Sequence, residues 1–162
     1  MLGQVFTLPG PTGESNRYQL LPRGTVWACA KTTLGLVHQL AATLASGNTC
    51  WLSPAALGSG AMTRLLEALP TEVQARVSVR PSDAVLADDT WSCMLFEGDA
   101  DELQALNPRV AQRTGAIARI ENLTTAQLAA GAHYDLSALM HEQSISINTA
   151  AAGGNAQLMT MG

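Results

Sequence analysis

No stretch of the 162 residues approaches the roughly 20 consecutive apolar side chains that a membrane-crossing helix needs. Met1 is followed by Leu2-Gly3-Gln4 rather than by a basic segment and an apolar one, so a secretory leader is not expected. Cysteine is scarce. Cys29, Cys50 and Cys93 are odd in number, widely spaced and set in apolar segments, which argues against a disulfide framework or a thiolate zinc site and for a reducing, cytoplasmic compartment. Charge is scarce too, at 14%, and basic charge is scarcer: nine Lys and Arg face thirteen Asp and Glu for a net charge of −4. The basic residues are almost all Arg and are spread thinly, a poor match to nucleic acid or an anionic membrane. What remains is 47% hydrophobic residues with fourteen Gly and seven Pro, the composition of a chain that folds around a single core.

From residue 25 onward the pattern alternates between short β-like runs and helical periods, which predicts a parallel sheet covered by crossover helices. Strands are expected at Thr25 to Ala30, Thr49 to Leu52, Val77 to Arg80, Trp91 to Phe96 and Ala116 to Ile120. Leu34, Val37, Ala41 and Leu44 fall on one helical face, and Gly47 can end that helix in a left-handed cap. A second helix carrying Leu65, Leu66 and Leu69 stops at Pro70, Ser82 to Ala87 is a turn or short helix, and Asp99 caps a helix with Leu103 and Leu106 that Pro108 breaks, or Pro108 starts a second turn from an Asn107 cap. The fold class is therefore α/β, a doubly wound, Rossmann-like, mostly parallel sheet of about five strands. Three regions are expected: an N-terminal β-hairpin arm over 1–22, the α/β domain over 23–133, and a C-terminal helix, strand and tail over 134–162. In the arm, Val5 to Leu8 and Arg17 to Leu21 are strands joined by turn formers; in the last region Asp135 to Glu142 is a short helix and Ser144 to Asn148 a strand.

Ala45-Ser46-Gly47-Asn48-Thr49-Cys50-Trp51-Leu52-Ser53-Pro54 resembles the Ala-Gly-Asn-Thr-(apolar)-Leu-Lys-Pro stretch of aldehyde dehydrogenases, and Phe96-Glu97-Gly98-Asp99 stands where that superfamily has Phe-Thr-Gly-Ser. Leu8-Pro9-Gly10-Pro11-Thr12-Gly13-Glu14-Ser15-Asn16, Leu21-Pro22-Arg23-Gly24 and the terminal run from Ser146 to Thr160 resemble, more narrowly, the C-terminal region of the bifunctional proline utilization A family. That resemblance spans essentially the whole chain. It implies a parent flavoenzyme that oxidises proline to pyrroline-5-carboxylate with FAD and then, with NAD, oxidises the hydrolysed semialdehyde to glutamate. It also implies that this domain is a coenzyme-domain look-alike that helps enclose the passage between two active sites.

The same resemblance marks what has been lost. Ser53 takes the place of the superfamily lysine that contacts the cofactor ribose, and Ala30 that of the asparagine that donates to the oxyanion. Neither a Glu-Leu-Gly-Gly general-base motif nor a Gly-Gln-x-Cys nucleophile motif occurs. Glu97 and Asp99 flank Gly98 at a helix mouth expected to attract pyrophosphate; a carboxylate about 5 Å from a phosphate charge is repelled by roughly 3 kcal/mol at an effective dielectric of ~20. Asp99 also reads as an ordinary helix cap. These five positions, Ala30, Ser53, Glu97, Gly98 and Asp99, form a degenerate coenzyme site, with no cofactor, catalytic residue or metal expected in this chain.

Other candidates read as structural. The cysteines belong to the core; His133, Asp135, Ser137 and His141 lack a nucleophile elbow; His38 is a packed or boundary residue; and Gly10 to Ser15 lacks the Gly-Lys-Ser/Thr of a phosphate loop. Arg23, Arg109, Arg113 and Arg119 read as solvated or as paired at a domain interface. Ile145, Ile147, Asn148, Thr149, Gly153, Gly154, Asn155, Leu158, Met159 and Met161 read as an interface, in which a terminal strand and an apolar tail dock on the catalytic semialdehyde dehydrogenase domain of the same parent chain or of a symmetry mate. A non-catalytic, shielding domain is thus expected, with an independent dinucleotide-binding redox domain and a homo-oligomerisation module as the alternatives.

Overall fold

The computed structural model describes residues 2–54, 58 and 60–149. It divides into two compact units, one formed by the two ends of the chain and one by residues 22–141. In the first, β1 (Phe6–Leu8) pairs antiparallel with β2 (Glu14–Pro22). The later β8 (Met140–Asn148) adds to them to give the order β1-β2-β8. The side chains of Gln19 and Gln143 hydrogen-bond across this sheet.

In the second unit β3 (Thr25–Cys29), α1 (Thr33–Ala45), β4 (Thr49–Leu52), α2 (Gly60–Glu67), α3 (Thr71–Gln74) and β5 (Val77–Val79) are followed by α4 (Ser82–Ala87), β6 (Trp91–Glu97), α5 (Ala100–Ala111), β7 (Arg119–Leu123) and α6 (Thr125–Ala129). A 3-10 turn, Leu136–Leu139, leads into β8. The five strands β3 to β7 form a parallel sheet of order β5-β4-β3-β6-β7, the doubly wound arrangement expected, with its reversal of strand order between β3 and β6. No helix of the described residues is long and apolar enough to cross a membrane.

The period-two pleat sorts the core. Val26, Ala28, Cys50, Leu52, Cys93 and Leu95 face Leu36 and Leu40 of α1, Met62 of α2 and Leu128 of α6, whereas Trp27, Trp51, Met94 and Phe96 face Val85 of α4 and Val110 of α5. A register shift against Thr25 and Val26 lets Trp91 share the second face with Met94, although the two are an odd number of residues apart. Trp91 meets Trp27 edge-on with ring centroids 5.5 Å apart, and the Arg113 guanidinium sits 3.7 Å over its ring.

Three expectations about elements are corrected. Pro108 neither breaks the helix capped by Asp99 nor starts a new turn, since α5 runs through it to Ala111. Residues 135–142 are not a helix. Asp135 accepts from the Ser137 amide and hydroxyl, but one 3-10 turn later Met140 is already extended, because the segment is drawn into the strand that pairs with β2. Strand β7 begins at Arg119 rather than at residue 116, since its register runs from Cys93↔Arg119 to Glu97↔Leu123 and Ile117 is fully exposed ahead of it.

The end of α1 shows why the Gly-Asn pair is required. Gly47, at φ 76°, takes the left-handed position after the cap; its N–H donates to the Leu44 carbonyl and that of Asn48 to the Thr43 carbonyl. Asn48, 1% exposed, then accepts from the Gly24 amide at 2.8 Å and donates to the Leu139 carbonyl at 2.9 Å and the Ser46 hydroxyl at 2.8 Å. One side chain joins the starts of β3 and β4 to the 3-10 turn. Asn48→Ala takes the acceptor from the Gly24 amide and leaves the Leu139 carbonyl with only the Arg23 amide, so a loss of about 1 to 3 kcal/mol is expected in the urea unfolding free energy.

Candidate functional site

In an open parallel sheet, ligands bind outside the carboxyl ends of the strands where strand order reverses, here at the ends of β3 and β6. Four of the five degenerate positions lie there, Ala30 after β3 and Glu97, Gly98 and Asp99 at the end of β6, while Ser53 follows β4 at the same edge. The structure separates the two acids that the sequence placed together. Cys93, Leu95 and Glu97 share the face of the sheet that carries α1, so Glu97 turns away from α5.

Its carboxylate ends in a ring of donors. Oε2 accepts the backbone amides of Lys31 and Thr32 at 2.7 and 2.8 Å, and Oε1 accepts the hydroxyls of Thr32 and Thr125, both at 2.8 Å. Glu97 is completely buried. Helix α1 has no acidic residue in its first turn, so the negative charge at its N-terminus is supplied across the sheet by β6. Burial opposes ionisation of Glu97, but the donors from Thr32, Thr125 and Lys31 outweigh it and hold the carboxyl below its usual range.

The approach leaves no room for a larger residue on the helix. A Cβ at Gly35 would fall under 3.0 Å from both Oε2 and Cδ of Glu97. Thr32 serves twice, accepting from the Gly35 amide at 3.0 Å as N-cap while donating to Glu97. Behind it, Gln39 of α1 donates to the Tyr134 hydroxyl, which donates to the Phe96 carbonyl at 3.0 Å.

The second helix mouth is also filled from within. Asp99 accepts from the Glu102 amide and Glu102 from the Asp99 amide, both at 2.9 Å, a reciprocal capping box on α5 with Lys31 paired to Glu102. Gly98 is buried, its amide donating to the Leu123 carbonyl. On the same side of the sheet a cleft of roughly 370 Å³ between α4 and α5 is walled by Trp27, Leu86, Phe96 and Leu106, with Glu102 and Arg109 among its polar groups.

The remaining candidates stay apart from this edge chemistry. Cys50 and Cys93 are buried and Cys29 half-buried; desolvation pushes the Cys29 thiol up to about 11 and that of Cys50 to about 12, the reverse of nucleophile activation. Among the described residues no group of three His, Cys, Asp or Glu is placed to hold a metal ion. Ile145 and Ile147 are 39% and 46% exposed on β8, and the Thr149 amide donates to the Gly13 carbonyl. Asn148 is exposed as well. Gly153, Gly154, Asn155, Leu158, Met159 and Met161 lie outside the described residues.

With this geometry in view, comparison with known proteins is decisive. Over 162 residues the chain is 41% identical to bifunctional protein PutA of Rhizobium meliloti, covering 99% of this chain and 13% of that protein. Against bifunctional protein PutA of Escherichia coli K12 it is 39% identical over 160 residues, covering 99% of the chain and 11% of the relative. The chain is homologous to a stretch of PutA. It spans about an eighth of the length of these relatives. No family model matches. Among solved structures, proline utilization A of Bradyrhizobium japonicum superposes with a TM-score of 0.58 at 22% identity over 76% of this chain and 14% of that one. An NAD-dependent benzaldehyde dehydrogenase of Corynebacterium glutamicum superposes with 0.53 at 17% identity over 75% and 28%. Both likenesses show the fold shared by PutA and aldehyde dehydrogenases.

Sequence reading missed Thr32, Gly35 and Thr125, yet the pleat carried the signal: Glu97 is in phase with Cys93 and Leu95. Glu97→Gln removes the charge and places an N–H group among donors, which should cost about 1 to 3 kcal/mol at neutral pH. Because the folded carboxyl titrates below the ordinary value of 4.5, its contribution is present above that value and lost as pH falls through the lower, folded one. The stability difference between wild type and Glu97→Gln should therefore shrink below about pH 4.5, as read by urea titrations at successive pH values.

Proposed function

We propose that this chain is a non-catalytic domain of a PutA-type proline catabolic enzyme, one that walls off the passage between the parent's two active sites and supports its semialdehyde dehydrogenase domain. The parent would be a cytoplasmic oxidoreductase that oxidises proline with FAD and pyrroline-5-carboxylate-derived semialdehyde with NAD. The observation that carries the reading is the carboxylate of Glu97 seated on the N-terminus of α1, with the Asp99–Glu102 box on α5. At both helix ends of the switch point acids of the chain itself accept two backbone amides, so a pyrophosphate arriving there would meet negative charge. The residues present do not fit a dinucleotide, and Ala30 and Ser53 offer no substitute anchor.

Scaffold and strand are what remain to work with. Ile145 and Ile147 on β8 offer an edge and two apolar side chains to a neighbouring sheet, and the tail from Thr149 onward, with Gly153, Gly154, Asn155, Leu158, Met159 and Met161, would extend that contact. Closing a passage from water keeps a small intermediate from escaping to bulk.

Two measurements test this. Calorimetric titration of the chain with NAD or NADP should give no saturable heat in the micromolar range; clear micromolar binding would favour a surviving coenzyme site. Deleting residues 144–162 from the PutA-length parent should introduce a lag in proline-dependent NADH formation and lower the dehydrogenase rate. Unchanged coupled turnover removes the shielding role, and concentration-dependent self-association of the isolated chain through β8 would instead favour an oligomerisation module.

A further inference from the structure

Helix α1 carries no Asp, Glu, Lys or Arg along its 13 residues. A helix on the outside of a sheet normally shows charged and polar side chains on its outer face, whereas one that is apolar on both faces is covered on both. Here the inner side is accounted for by Leu36 and Leu40, but Leu34 and Val37 remain 42% and 39% exposed, and Leu136 of the 3-10 turn is 40% exposed. Val37, Ala41, Ala45 and Leu136, with His38 and His133, line a cleft of about 390 Å³. That is about thirteen times the roughly 30 Å³ share of a water molecule, room for an inserted side chain.

The polar groups nearby do not converge as a small-molecule site would require. The imidazoles of His38 and His133 stack on one another, ring centroids 5.5 Å apart and planes within 13°. The Tyr134 hydroxyl is already held between Gln39 and the Phe96 carbonyl. An apolar, charge-free face of this kind matches a permanent interface better than a transient one, whose surface is no more apolar than the rest of a protein. The relatives supply the candidate for a permanent partner, since the chain corresponds to only 13% of the Rhizobium meliloti protein. A partner tethered in the same polypeptide is present at high effective concentration throughout the life of the protein.

We propose that the α1 cleft is covered by an uncharged apolar segment of the same PutA-length polypeptide, which inserts a side chain of Leu or Phe type between Val37, Ala41 and Leu136. The inference rests on the reading that this chain works within such a parent, and it concerns residues other than those of β8 and the tail.

Cysteine accessibility decides it. Val37→Cys and Leu65→Cys, the latter at a residue of α2 that is 39% exposed, are reacted with a maleimide in the 162-residue chain and in the parent, with the rate at each site read by peptide mass. Val37→Cys should react at least tenfold more slowly in the parent, with Leu65→Cys unchanged. A further variant guards against misreading: Val37→Arg in the parent should accelerate labelling of Ala41→Cys towards its rate in the isolated chain. Equal rates at Val37→Cys in both settings overturn the inference. Slowing in the isolated chain as its concentration rises overturns it too, by making a second copy the occupant. An intact effect of deleting 144–162 alongside an unprotected Val37→Cys would sink this inference and leave the proposed function standing; the converse would do the opposite.

Discussion

The buried carboxylate of Glu97 is the constraint on which the carboxyl edge of the sheet depends. It ties the last residue of β6 to the first turn of α1 and to the start of α6 through four hydrogen bonds of 2.7 to 2.8 Å. An ionised group without exposure is tolerated only when its partners are complete. Here each oxygen has two donors, and the helix N-terminus adds its positive end. The cost of removing the charge from water is thereby offset, and the neighbouring sequence answers to the same demand. Thr32 must be both cap and donor, Thr125 must stand at the head of α6, and Gly35 must lack a side chain.

Much of this architecture is legible in the sequence because it rests on short-range rules. Alternation over residues 93–96 and 26–28 gives strands buried on both faces; Gly47-Asn48 marks the end of α1; and Asp99 three residues before Glu102 spells a capping box. What failed did so where distant segments decide. Residues 140–142 have a local pattern compatible with a helix, but they open the long strand β8. The start of β7 is set by the length of β6 beside it.

The site was half legible for a related reason. That two acids stand at the end of β6 is plain in the sequence, and Asp99 does cap α5. Which helix Glu97 addresses depends on the sheet's two faces, one lined by α1, α2 and α6 and the other by α4 and α5. Counting back from Glu97 by twos to Leu95 and Cys93 assigns it to α1. Its donors, two backbone amides and two threonine hydroxyls from segments 28 and 65 residues away, carry no motif that a linear reading could join.

An internal anion also differs from a bound one in how it stabilises a fold. A site stabilised by a ligand gains RT ln(1 + [L]/Kd) and so softens whenever ligand is scarce. Glu97 never dissociates, and its stabilisation stays constant at any pH well above the ordinary carboxyl value of 4.5. A coenzyme domain that must open and close to exchange its cofactor gains from leaving its helix ends vacant between turnovers. The shielding role proposed for this chain would call for the reverse, and an α1 without charged side chains would leave its outer surface to the lasting contact proposed for it.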